Sequence, residues 1–120
     1  MLSRVNSCSL MGIDGYIVEV ETDISSGIPA FEIVGLGDTA VRESKERVKA
    51  AIKNTGFEFP TRKITINLAP ANLKKEGSAF DLSIAIGLLA ATGQVNSQAI
   101  SSYMFIGELS LSGDLRAVNG

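Results

Sequence analysis

The sequence predicts an α+β fold: a mixed β-sheet with two helices packed on one face. Three observations lead there. The segment "YIVEVETDI" alternates apolar and polar residues, the period of a sheet with one packed and one wet face. Two helix-like runs, 39–54 and 80–92, interrupt the strand-like segments. The resulting order, β-β-β-α-β-α-β-β, is that of a layered α+β domain.

The first strand is the weaker "RVNSCSLMG", followed by a turn at "GIDG". In the second, Tyr16, Val18, Val20, Thr22 and Ile24 share one face; Ile17, Glu19, Glu21 and Asp23 share the other. "PAFEIVGL" is the third strand, after a Ser25-Ser26-Gly27 loop; so short a spacing predicts neighbouring antiparallel strands. The first helix carries an apolar stripe of Val41, Val48 and Ile52 with Ala40 and Ala51, and Asn54-Thr55-Gly56 ends it. "KITINLA" is a strand with Ile64, Ile66 and Leu68 on one face, and "APANLKKEG" a loop. The second helix is apolar nearly all round, and its small-residue line, Ser83, Gly87 and Ala91, allows close approach to a sheet. "YMFIGELSLSGDLRAV" reads as a buried strand and a hairpin through Ser112-Gly113-Asp114.

The chain has 120 residues, which suits a single domain spanning 1–120. It stops at "RAVNG" just after a strand, which reads as a piece of something longer. One cysteine, Cys8, excludes an internal disulfide and fits a reducing cytoplasm. The start lacks the continuous apolar core of a secretory signal, and no run reaches the ~18 apolar residues of a membrane span. The absence of histidine removes Ser-His-Asp triads, Cys-His pairs and imidazole metal ligands, so no metal site is expected. A net charge of −2 gives no global attraction to nucleic acid.

"VGLGDTAVRESKERVKAAI" places Gly35-x-Gly37-x-x-Ala40 between a strand and a helix, where a dinucleotide loop would sit. Such a loop needs a parallel β-α-β unit and an acidic residue about twenty positions on. That count lands near Glu58, in the loop "GFEFP", and Asp38 would face phosphates with like charge. The expected reading is a sharp turn with Asp38 as helix N-cap and no cofactor. The helix then sets Arg42, Lys45, Arg47, Lys49 and Lys53 against Glu43 and Glu46, with Arg42–Glu46 and Glu43–Arg47 spaced as i,i+4 pairs. This face is either solvated or a surface for nucleic acid or a partner, and Arg62, Lys63, Lys74 and Lys75 widen it if they lie nearby. No aromatic residue is interleaved with these charges in sequence, so a stacking platform is not indicated.

"LKKEGSAFDLSIAIGLLAATG" is the most specific stretch. A Ser–Lys dyad is the nucleophilic arrangement this composition allows, with Ser78 behind Lys74 and Lys75. Ser78-x-x-Asp81 before an apolar run is also a capping pattern, and Ser78 is expected to cap the second helix. With "GIPAFEIVGLGDTAVRESKERVKAAIKNTGFEFP", "KITINLAPANLKKEGSAFDLSIAIGLLAATG" and "FIGELSLSGDLRAVNG", nearly the whole chain resembles the N-terminal domain of the magnesium-chelatase-like ComM/YifB family. That domain is similar in fold to the proteolytic domain of Lon, to the C-terminal domain of RadA and to the second domain of ribosomal protein S-five.

The family usually reads Gly-Leu-Pro-Asp where this chain has Gly35-Leu36-Gly37-Asp38, so the second glycine is not used for close phosphate approach. Lon carries its nucleophile in Gly-Pro-Ser-Ala-Gly; this chain has Gly77-Ser78-Ala79-Phe80-Asp81. Lon's lysine follows a later Gly-Gly, a position that neither Lys74 nor Lys75 matches, so no residue is assigned a catalytic role. The resemblance implies a parent chain with an AAA+ module using ATP and Mg, acting in the ComM branch as a ring-forming helicase for branch migration in natural transformation. This chain has no G-x-x-x-x-G-K-[ST] loop and is not itself that ATPase. It is expected to be an accessory domain aiding ring assembly and DNA contact, through Arg42, Lys45, Arg47, Lys49, Lys74 and Lys75. A degenerate peptidase domain that binds peptides and a purely structural oligomerisation domain are the alternatives. A role in inserting magnesium into porphyrin is disfavoured, with no histidine and no clear porphyrin site.

Overall fold

The alternation read in the sequence decides which side of the sheet is core. In the computed structural model, which describes residues 1–11, 14–71, 75 and 78–116, the elements are β1 (Leu2–Met11), β2 (Asp14–Ser25), β3 (Ala30–Val34), α1 (Asp38–Asn54), β4 (Lys63–Ala69), α2 (Asp81–Ala91), α3 (Ser97–Ile100), β5 (Glu108–Leu109) and β6 (Leu115–Arg116). Val5 of β1, Val18, Val20 and Ile24 of β2, Ile33 of β3 and Ile64, Ile66 and Leu68 of β4 are buried on one face. Arg4, Ile17, Asp23, Glu32 and Val34 are exposed on the other. The two long helices cover the buried face, as expected, through Val48, Ala51 and Ile52 of α1 and Ile84, Leu88 and Leu89 of α2.

The four-stranded sheet has the order β1-β2-β4-β3. β1 with β2 and β2 with β4 are antiparallel, placing Val5 opposite Val20 and Thr22 opposite Ile66. β3 pairs with β4 in parallel, Ile33 opposite Ile66, which corrects the expectation that it would pair with β2. The reason lies after the short loop, not in it. A strand followed by a helix on the same face returns beside itself in parallel. The apolar "KITINLA" then takes the interior position, and the shorter β3, with Glu32 and Val34 outward, takes the edge.

α2 lies across β1 and β2, where its small-residue line permits the expected close approach. Ser3 Oγ donates to the Gly87 carbonyl at 2.7 Å. A methyl at Gly87 would stand only 2.6 Å from Thr22 Oγ1. Both long helices end alike. Gly56 and Gly93 take positive φ, and the amides of Phe57 and Gln94 close back onto the carbonyls of Ile52 and Leu89.

Their starts differ from expectation. Gly37, with φ −64°, is the N-cap of α1, and Asp38 is its first helical residue. Asp38 therefore makes no side-chain cap bond and contributes through its charge near the helix N-terminus. The Ser78 side chain makes no cap bond either: Phe80 is the N-cap of α2, and Ser78 contributes only its backbone carbonyl, which accepts from the Asp81 amide at 3.2 Å. The Leu82 amide is instead taken by the Gly107 carbonyl at 3.1 Å, while Gly107 donates to Ala79 at 2.8 Å. A segment distant in sequence fills the role expected of the serine.

"YMFI" is not a full strand. Met104 makes one parallel bridge to Asn6, and Tyr103, Met104 and Ile106 are exposed. The predicted hairpin is present as β5 and β6, and it packs on the end of α1 through a bond from Asn54 Nδ2 to the Leu111 carbonyl at 2.8 Å. α3 was not predicted; Asn96 caps it, accepting from the amides of Gln98 and Ala99.

Candidate nucleic-acid interface

At 100° per residue, the charges of α1 fall on two sides of the helix. Arg47 shares a side with buried Ser44 and Ala51 and points inward. It meets Asp81, the first residue of α2, which is fully buried. Asp81 accepts from Arg47 Nε at 2.6 Å and Nη2 at 3.2 Å, from Ser44 Oγ at 2.7 Å and from the Leu109 amide at 3.1 Å. The hydrogen bond to Asp81 raises the Arg47 pKa above its ordinary value, against the opposing effect of burial. Arg47 also reaches Glu43 at 3.8 Å, the i,i+4 pair read in the sequence; Arg42 and Glu46 form no ion pair within 4.0 Å. Arg47 therefore ties α1, α2 and β5 together and is not available to a ligand, which corrects its assignment as a contact residue.

Lys75 is corrected in the same sense. It is 2% exposed, and its ammonium donates to the Pro70 carbonyl at 2.5 Å. Lys74 lies outside the described residues. Burial pushes the Lys75 ammonium below its ordinary value of 10.5. The native state then releases this proton at a lower pH than the unfolded chain does. Between the two values the unfolded state binds more protons, so stability rises with pH through that window, and below it the burial cost is fully present. Comparing denaturant midpoints of the wild type and Lys75→Met between pH 7 and 10 should show the balance moving toward the wild type as pH rises. A difference independent of pH would contradict this.

The exposed side of α1 keeps Arg42, Lys45, Lys49 and Lys53, spaced i, i+3, i+7 and i+11 along one stripe. Among the described residues, none of the four has a carboxylate within 4.0 Å. Aromatic residues back this stripe, which sequence proximity does not show. Phe31 of β3 and Phe59 of the loop before β4 pack ring against ring at 5.4 Å. Lys45 Nζ lies 5.8 Å from the centre of the Phe31 ring, and Lys49 Nζ 5.7 Å from that of Phe59. Such contacts hold an ammonium by the charge of the ring face. Beside them a groove of about 210 Å³ runs between α1 and the Phe59–Arg62 segment, bordered by Lys49, Lys53 and Arg62. Lys53 and Arg62 complete the site; Lys53 is one turn beyond Lys49, a spacing visible in sequence, whereas Arg62 and the two rings arrive only through folding.

The Gly35–Gly37 loop does sit in a parallel β-α-β unit. Gly35 nonetheless serves the chain itself. Gly35 has φ +98°, and a side chain there would stand 2.7 Å from the Leu68 carbonyl oxygen. Gly37 has an ordinary φ of −64°. Glu58 lies in a loop, its amide held by Gln94 Oε1 at 2.8 Å, and among the described residues β4 ends at Ala69 and Pro70 with no ribose-binding carboxylate. Among the described residues no group of acidic residues and cysteine is placed to hold a metal, and no helix is long and apolar enough to cross a membrane.

The family model described as subunit ChlI of Mg-chelatase matches residues 20–120. The chain is similar to YifB of Escherichia coli (strain K12), 48% identical over 99% of this chain and 24% of that protein. It is 44% identical to the competence protein ComM of Haemophilus influenzae, over 99% of this chain and 23% of that protein. Similarity extends to Mb2921c of Mycobacterium bovis, at 42% over 99% of this chain and 24% of that protein. The chain thus spans about a quarter of the length of these curated relatives.

Proposed function

Because the chain belongs to the family of the ChlI subunit of Mg-chelatase, with ComM and YifB as relatives, we propose that it is a non-catalytic, DNA-contacting accessory domain of a larger ComM-like AAA+ ATPase. In that parent the AAA+ module uses ATP and Mg, the subunits form a ring, and the ring drives branch migration of DNA during natural transformation. This domain abuts that module and offers DNA the exposed side of α1. The observation that carries the reading is the stripe of Arg42, Lys45, Lys49 and Lys53, outside the reach of the described carboxylates, in a chain whose net charge is −2. Cations concentrated on one side of an acidic domain supply the local attraction to phosphates that its overall charge does not.

The test is binding to single-stranded, duplex and branched DNA over a range of salt. The wild type should lose affinity steeply with salt. Exchanging Lys45 and Lys49 for Glu should weaken every DNA tested at least tenfold and lower the salt slope by about one for each phosphate no longer neutralised. Unchanged affinity and slope in that double variant would exclude α1 as the DNA-binding surface.

A second reading, assembly without DNA, is favoured by the face of the sheet opposite the helices, which no described element covers and where Arg4, Asp23, Glu32 and Val34 are exposed. It predicts that the chain binds no DNA at any salt and that substitutions on this sheet face change oligomeric state.

A further inference from the structure

We propose that the groove between α1 and the Phe59–Arg62 segment is a seat for a backbone phosphodiester of a DNA strand, with Lys49, Lys53 and Arg62 supplying the charge and Phe59 positioning Lys49. The inference rests on the DNA-contacting reading above and names the place and the chemistry of that contact.

Three features of the groove select this ligand. Its border carries three cations, and among the described residues no carboxylate lines it. A cluster of like charges left together at the edge of a concavity favours an anion that all three can approach. Its volume of about 210 Å³ falls below the ~300 Å³ typical of small-molecule sites. It has room for a phosphate and its neighbouring atoms, while the rest of the ligand lies outside, as in a polymer. Finally, Lys49 comes with its ammonium already placed. With Nζ 5.7 Å from the centre of the Phe59 ring, it loses less side-chain freedom on meeting a phosphate than a free lysine does. Phe59 is in turn braced by Phe31. Thr61, on the same segment, adds a hydroxyl at the edge of the groove.

Lys53 and Arg62 make the distinguishing variants, because both are exposed and, among the described residues, form no ion pair within 4.0 Å. A single-stranded oligothymidylate and inorganic phosphate are the two probes, each titrated into the chain. Lys53→Ala and Arg62→Ala should each weaken oligothymidylate binding about fivefold, and the pair should lower the salt slope. Phe59→Leu, measured at a temperature where the variant is fully folded, should weaken it and abolish the ring-current shift of the Lys49 methylene protons, and Phe59→Tyr should restore both. Full oligothymidylate affinity in the Lys53→Ala, Arg62→Ala double variant, with binding still weakened on exchanging Lys45 for Glu, overturns the groove and leaves the helix face standing. No DNA binding by the wild type overturns both readings. Saturation of the groove by inorganic phosphate with no oligothymidylate binding overturns the strand in favour of a free anion.

Discussion

Asp81→Ala is expected to destabilise the chain by about 3–5 kcal/mol, the range for breaking a buried ion pair from one side. A domain of this kind has only about 5–15 kcal/mol in hand. Removing the carboxylate leaves Ser44 Oγ, the Leu109 amide and the Arg47 guanidinium without the acceptor that satisfies all three. The guanidinium cannot relieve this by losing its proton, since its pKa is raised above the already high value for arginine. Arg47→Ala should cost less than Asp81→Ala, because its side chain is 19% exposed and Asp81 keeps two donors. A double-mutant cycle read from urea midpoints should give strong coupling between the two. Additive losses would show that the network is not a unit. The same variants settle the role of Arg47: its removal should lower stability, and DNA affinity at full folding should be unchanged.

Gly35→Ala and Gly37→Pro should move stability in opposite directions, although the two glycines stand two residues apart in one motif. At Gly35 the positive φ costs an L-residue about 1–3 kcal/mol. The new methyl would also stand 2.7 Å from the Leu68 carbonyl oxygen, a backbone atom of the central strand, and overpacking of that kind costs about 1–3 kcal/mol more. At Gly37 the backbone already has the φ of proline, −64°, and nothing lies within 4 Å of an added Cβ. Proline at the residue preceding a helix should therefore stabilise by about 0.4–1 kcal/mol, chiefly by restricting the unfolded chain. It matches the Gly-Leu-Pro-Asp pattern that the resemblance supplied. Thermal midpoints of the two variants test the pair. Destabilisation by Gly37→Pro would mean that this amide or its freedom matters, as it would in a phosphate-binding loop.

Local periodicity made most of the fold legible. Alternation in β2 and β4 identified the buried face, Asn54-Thr55-Gly56 marked the end of α1, and the line of Ser83, Gly87 and Ala91 foretold contact with a sheet. What failed were inferences that needed a partner from elsewhere in the chain. Asp38 and Ser78 have the residue types and spacing of caps, yet the Gly107 carbonyl serves the start of α2. β3 looked like a neighbour of β2, but the helix that follows it returns the chain in parallel, with β4 between them.

The candidate site divides in the same way. Composition by itself excluded histidine chemistry and disulfides, and the spacing of Arg42, Lys45, Lys49 and Lys53 put them on one side of a helix, since both properties are local. Whether a cation faced water or a carboxylate was not local. Arg47 lies two residues from Lys45 and from Lys49, yet helix rotation and the position of α2 deliver it to Asp81, 34 residues away. Lys75 is charged in sequence and buried in the fold, beneath Gly35 and beside Pro70. Phe31 and Phe59 are separated from the basic residues in sequence, but β3 and the approach to β4 bring them under Lys45 and Lys49. The sequence determined the elements and the supply of charge, because dihedral preference and residue type act over a few residues. Only the tertiary structure decided which charges face water, because that depends on packing between elements far apart in the chain.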